Sequence, residues 1–239
     1  NLLLQQQLWD KSLSLLQAAA QTAQKYNSPG ILKLYLGHFR KLIPNCSSQE
    51  EVIETLSNSV EVAMQFEDPG TSRMAYTLLG ETLGQYRKWD EAIEASYKAV
   101  EIAQESGDRQ LLISSLHALG DLLLQQEEPD EAITILEQAV EVAETLGNYQ
   151  LLSISLNSLG GVYKDLQQWQ DAEYCFRRCF DLAHEEKNIM GKAIALNGLG
   201  QVLENQGHEK FKFAISAFQE SIKIGQQEHN LSHLAKVHT

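Results

Sequence analysis

The sequence predicts an all-α solenoid of tandem helix hairpins, and three periodic signals carry that prediction. A Leu-Gly pair recurs at every fortieth position, at Leu79-Gly80, Leu119-Gly120, Leu159-Gly160 and Leu199-Gly200. Apolar residues stand three before each leucine (Tyr76, Leu116, Leu156, Leu196) and three after each glycine (Leu83, Leu123, Tyr163, Leu203), the i, i+3, i+4, i+7 spacing of one helix face. Twelve positions past each glycine comes a small residue (Ala92, Ala132, Ala172), and seven further another (Ala99, Ala139, Cys179), which mark a second helix. A fixed period of this length is the signature of stacked supersecondary units that bury their apolar faces on one another.

The units follow in order along one array, residues 1–239. Residues 1–27 form a partial unit: Trp9-Asp10-Lys11-Ser12-Leu13 lies two periods before Trp89-Asp90-Glu91-Ala92-Ile93, so the chain is expected to begin inside a first helix and turn just before Trp9. Unit 28–67 opens on Ser28-Pro29, a cap followed by proline at the first helical position. It holds Leu36-Gly37, an irregular turn at Pro44-Asn45-Cys46-Ser47-Ser48, and a second helix at Glu51-Val52-Ile53-Glu54. Unit 68–107 repeats the proline start at Asp68-Pro69 and stops at Gly107; unit 108–147 runs from Asp108 to Gly147. The two glycines suit left-handed helix stops, and Asp108, Asn148, Asn188 and Asn230 fall where the next helix needs an N-cap. Unit 148–187 is regular. In unit 188–229 the second-helix phase slips by two, to Ala214, Phe218 and Ser221, which places an insertion in Gly207-His208-Glu209-Lys210-Phe211. Residues 230–239 open a further repeat. The first residue is Asn1 and neither end reads as a polar cap, so the expectation is a fragment of a longer protein.

Composition limits the function classes. Asp and Glu number 32 against 19 Lys and Arg, a formal charge of −13 that repels a phosphate backbone and argues against a nucleic-acid partner. No apolar run approaches the roughly 18 residues of a membrane span. The odd cysteine count (Cys46, Cys175, Cys179) and the absence of a visible targeting signal point to the cytoplasm.

Tyr76, Leu79, Gly80 and Ala92, with Tyr163, Ala172 and Phe176 two units on, resemble the tetratricopeptide repeat family over nearly the whole chain. The unit is longer than that family's usual ~34 residues. Gln104, Glu144 and His184 replace the proline that would end the second helix, so that helix continues for another turn. This long form is similar to the repeats of kinesin light chain and of Leu-Gly-Asn-repeat polarity adaptors, and to sensor arms on signalling ATPases and proteases. The resemblance implies a right-handed superhelix whose first helices line a concave surface, and a protein-interaction module or scaffold rather than an enzyme. The rival implied function is the sensor or autoinhibitory arm of a larger signalling enzyme, a STAND-type ATPase or caspase-like protease, contacting other domains of its own chain.

On each first helix the stripe beside the packing face should look into that groove. It comprises Thr77, Glu81 and Gly84; His117, Asp121 and Leu124; Asn157, Gly161 and Lys164; Asn197, Gln201 and Glu204. Asn157 and Asn197 occupy equivalent places although asparagine is a poor mid-helix residue; each can donate to and accept from an extended peptide backbone. Alternatively they bond to adjacent helices or face water. Chaperone-binding members of the family clamp a C-terminal carboxylate with basic side chains, but only Lys164 stands here among Glu81, Asp121 and Glu204, so a neutral to basic peptide is expected instead.

Cofactor and metal sites are not expected. Cys175 and Cys179 read as packing residues with His184 rotated off their face, and His229, His233 and His238 straddle the predicted cap Asn230. Trp9, Trp89 and Trp169, just before the second helices, read as aromatic seals of the hairpin turns.

Overall fold

The structure is a computed structural model that describes the backbone of residues 2–41, 43, 48–206, 215–216, 218–223 and 226, and their side chains from Lys11 on, Ser12 excepted. The expectations for the Trp9 side chain, Cys46, the Gly207–Phe211 insertion, Ala214, the three C-terminal histidines and the repeat opening at Asn230 lie outside the described residues.

Ten helices can be bounded among the described residues, α1 (Leu2–Lys25), α2 (Pro29–Phe39), α3 (Gln49–Ala63), α4 (Pro69–Gln85), α5 (Trp89–Glu105), α6 (Arg109–Gln125), α7 (Pro129–Leu146), α8 (Tyr149–Asp165), α9 (Trp169–Glu185) and α10 (Ile189–Asn205), and residues 215–216, 218–223 and 226 are helical as well. The chain divides into two compact units, Asn1–Glu128 and Pro129–Thr239. In the first, α4 packs on both α5 and α2, and α6 on α4 and α5; in the second, α8 packs on α7, α9 and α10. One element departs from the sequence expectation: α1 is a single helix through Trp9 and Asp10 with no turn before it. The preceding Leu2-Leu3-Leu4-Gln5-Gln6-Gln7 consists of good helix formers with no glycine or capping residue to stop it.

The turns repeat as the sequence does. At the end of α4 the Lys88 amide donates to the Leu83 carbonyl and the Arg87 amide to that of Gly84, both at 2.9 Å, with Arg87 left-handed at φ 59°. This Schellman stop recurs one and two periods on, at Glu127 (φ 67°) and Gln167 (φ 60°). Each of these residues accepts a left-handed conformation that glycine would take without strain. The predicted stops at Gly107 and Gly147 both have φ 69°. Asp68, Asp108, Asn148 and Asn188 cap α4, α6, α8 and α10 as expected, each side-chain oxygen accepting from an amide two or three positions on at 2.9–3.1 Å. Ser28 is extended but makes no side-chain cap bond, whereas Ser48 caps α3. Trp89 and Trp169 are the first residues of α5 and α9 rather than the residues before them, and both pack half-buried on the core.

Burial explains the Leu-Gly and alanine positions. Leu119 and Ala92, Ala132 and Ala172 are wholly buried, and Leu79 and Leu159 nearly so. A Cβ on Gly80 would lie 3.0 Å from the Ala92 carbonyl oxygen and 2.5 Å from Ser96 Oγ, so α4 and α5 meet backbone to backbone there. On Gly160 it would lie 3.0 Å from the Cys175 Cβ and 3.2 Å from the Phe176 ring. Gly161, the next residue along, has nothing within 4 Å of such a Cβ.

The two kinds of glycine should respond oppositely to alanine. Gly80→Ala is expected to lose about 1–3 kcal/mol through overpacking, more than its helix-propensity gain, while Gly161→Ala gains roughly 0.5–1 kcal/mol. Thermal unfolding followed by circular dichroism should therefore shift the two variants in opposite directions; shifts of the same sign would contradict the close contact at Gly80.

Candidate peptide-binding surface

In the first unit the expected residues sit on α4 and α6. Thr77 is half-buried, its hydroxyl oxygen enclosed with no hydrogen-bond partner among the described residues. One turn away, Arg73 reaches Ser114 on α6 at 3.4 Å. Glu81 forms an ion pair with Arg40, the residue ending α2, at 2.5 Å. Glu81 and Asp121 line one cavity of about 300 Å³ together with Arg40, Gln85, Gln125 and Ser96. Gly84, expected on the open stripe, is instead buried, with the Leu122 side chain where its Cβ would be. The stripe drifts around the helix by that turn and meets the next first helix.

The electrostatics of this face follow from partial burial. Desolvation pushes the Glu81 carboxyl above its ordinary value, against the pull of Arg40, and Asp121 adds to the rise. Asp121 is likewise raised by desolvation, with His117 opposing. His117, one turn away, is held down by burial against the pull of Asp121.

In the second unit α8 and α10 carry the expected residues. Lys164 Nζ donates to Gln201 Oε1 at 3.0 Å and lies 3.5 Å from Asp165, which ties the far ends of the two helices together. Asn157 lines a cavity of about 200 Å³ with Ser153, Ile154, Ser158, Met190 and Ile194. Asn197, its repeat equivalent, is exposed and outside that lining, as is Glu204 on the last turn of α10. The structure thus separates two asparagines that the period makes equivalent. Ile154, Met190 and Ile194 were not expected there, yet they are 45%, 54% and 49% exposed, far more than apolar side chains that serve the core. Ile154 and Ile194 stand three positions before Asn157 and Asn197, so extending the stripe one turn towards the helix start would have found them. Arg40 and Arg73 were also missed, Arg40 because it ends a helix in the irregular unit.

Cys175 and Cys179 are placed as packing residues. Cys175 and Cys179 are buried, both thiols pushed up to about 12, chiefly by desolvation, and Cys179 Sγ donates to the Ser153 carbonyl at 3.1 Å. His184 is exposed and lies against the Phe180 ring, 6.2 Å between centroids. Among the described residues no group of three His, Cys, Asp or Glu side chains could hold a metal ion, and no helix is long and apolar enough to cross a membrane.

The sequence profile of the tetratricopeptide repeat matches residues 71–145 and 151–236, and the chain belongs to that family. No curated protein sequence matches it. Among solved structures, BtubC (BKLC) from P. vanneervenii is similar at 15% identity and TM-score 0.74, covering 92% of each chain. A Rap protein complexed with competence and sporulation factor is similar at 11% identity and TM-score 0.56, over 93% of this chain and 68% of that one. A STAND signal-transduction ATPase with a tetratricopeptide repeat sensor from Pyrococcus horikoshii is similar at 14% identity and TM-score 0.61, over 94% of this chain and 38% of that one. At these identities the likeness is one of fold. The chain is an all-α tetratricopeptide repeat protein, the class whose members serve as protein-interaction scaffolds.

A titration follows from the site electrostatics. His117 should titrate below its ordinary 6.5 when followed by NMR, and lower still in Asp121→Asn, which removes the charge that raises it. A depressed folded-state value means that His117 contributes stability above its unfolded pKa, and that this contribution is lost as pH falls through the folded value. A midpoint above 6.5 would contradict the burial described.

Proposed function

We propose that the α8–α10 face binds an extended segment of a partner protein, neutral to basic in charge, in a reducing compartment such as the cytoplasm. The observation that carries this reading is the cavity beside Asn157, where a carboxamide able to pair with a peptide backbone adjoins three exposed apolar side chains. Polar groups that orient a ligand within an apolar lining are the usual make-up of a recognition pocket. Ile154, Met190 and Ile194 suit an aliphatic side chain, and Asn197, the Lys164–Gln201 pair and Glu204 extend the face along the helices. Thr77, Glu81, His117 and Asp121 supply the corresponding face of the first unit. The net charge of −13 disfavours an acidic partner. The protein acts by binding and has no catalytic residue in this reading.

The fold likeness to the ATPase with a tetratricopeptide repeat sensor supports a second reading, in which the same face holds a neighbouring domain of its own polypeptide.

Peptides selected from a random displayed library against the whole chain test the first reading. Asn157→Ala/Asn197→Ala should weaken the selected peptides by about 5- to 150-fold, from roughly 0.5–1.5 kcal/mol per lost hydrogen bond, without loss of helicity. Undiminished binding to the folded double variant would remove the α8–α10 face from consideration.

A further inference from the structure

The repeat period gives three of the second helices a large apolar plug: Leu56 on α3, Leu136 on α7 and Phe176 on α9, all buried. On α5 the same position is Ser96. In the second unit the Phe176 ring fills the space between first helices; it lies where Cβ atoms on Gly160 and Gly198 would be, at 3.2 and 2.4 Å. The equivalents around Ser96 are Gly80 on α4 and Ala118 on α6. With a hydroxymethyl in place of a ring, the region between α4 and α6 holds the 300 Å³ cavity, and Ser96 and Ala118 both line it.

The walls of this cavity have a definite chemistry. Leu78, Leu122 and Ile43 supply apolar surface, and Gln85 and Gln125 supply carboxamides. Two carboxylates, Glu81 and Asp121, face it, and among the described lining residues the one guanidinium is that of Arg40, which is engaged by Glu81, with Arg73 also acting on Glu81 from outside the lining. A ligand with an aliphatic stem and a cationic, hydrogen-bond-donating head would lay the stem on the leucines and place the head between Asp121 and the glutamine oxygens. An anionic head would meet Asp121 and Glu81, and a purely apolar one would strip water from them.

We propose that the Ser96 cavity of the first unit is a pocket for a basic side chain, arginine or lysine, of a partner protein. The pocket rests on the first-unit part of the proposed binding face, to which Glu81 and Asp121 belong, and shares no residue with the α8–α10 face, so a failure at one does not decide the other.

The test uses the whole chain and blocked pentapeptides of glycine with arginine, lysine, glutamine or glutamate at the centre, read by the side-chain amide NMR signals of Gln85 and Gln125. The arginine and lysine peptides should shift those signals saturably at millimolar concentration, less so as salt rises, while the glutamine and glutamate peptides should not. Asp121→Asn should weaken the basic peptides about five-fold, as expected for one partly exposed ion pair. Ser96→Leu, which restores the plug seen at Leu136, should abolish the shifts with the second-unit signals unchanged. Equal shifts from the glutamine peptide, no saturable shift from either basic peptide, or full affinity in Asp121→Asn would each overturn the proposal. Asp121→Asn remains decisive even where Ser96→Leu does not fold.

Discussion

In these hairpins a glycine of the first helix packs tightly against the body of the second, and the rest of the architecture depends on that contact. A Cβ on Gly80 would press on the Ala92 carbonyl and the Ser96 hydroxyl, and one on Gly160 on Cys175 and Phe176, so a methyl group at either position would make its neighbours shift. That contact fixes the register of the two helices, because the leucine beside each glycine then has one apolar pocket to enter. It also determines which stripe of the first helix is left over. The left-handed Schellman stops at Arg87 and Gln167 give the turns of these two hairpins the same backbone, so the same stripe is left over in each.

On a frame this regular, chemistry comes from departures from the repeat. Phe176 and Ser96 occupy one position, yet one seals the space between first helices and the other leaves it open. Isoleucines at 154 and 194 stand where the first unit has Met74 and Ser114, so the second unit presents a more apolar surface and the first a charged one around Arg40, Glu81 and Asp121. The two units therefore present different side-chain chemistry on the same helix geometry, and it is on this difference that the proposed binding roles rest.

The fold was legible because its determinants are local and periodic: the Leu-Gly spacing, the capping aspartates and asparagines, and the glycines at 107 and 147 each act within a turn or two of themselves. What escaped the sequence has the opposite property. No local signal distinguishes Asn157 from Asn197, since their difference lies in what packs beside them, Met190 and Ile194 in one case. Gly84 is buried by Leu122 from another helix, and Arg40 finds Glu81 across a helix boundary that the irregular turn obscures. The non-glycine left-handed stops carry no compositional cue at all. Ser96 is the exception: the substitution of a plug by serine can be read from the aligned repeats, although its consequence, a cavity, needs the packed neighbours.

The central claim is that the α8–α10 face is the contact surface for a partner segment. The most direct measurement is methyl NMR of the whole chain titrated with a displayed peptide selected for binding. The Ile154, Met190 and Ile194 methyl signals are predicted to shift together and saturate, while Val140, on the second helix α7, stays in place. Saturable shifts confined to Val140 and other second-helix methyls, with Ile154, Met190 and Ile194 unmoved, would contradict the claim.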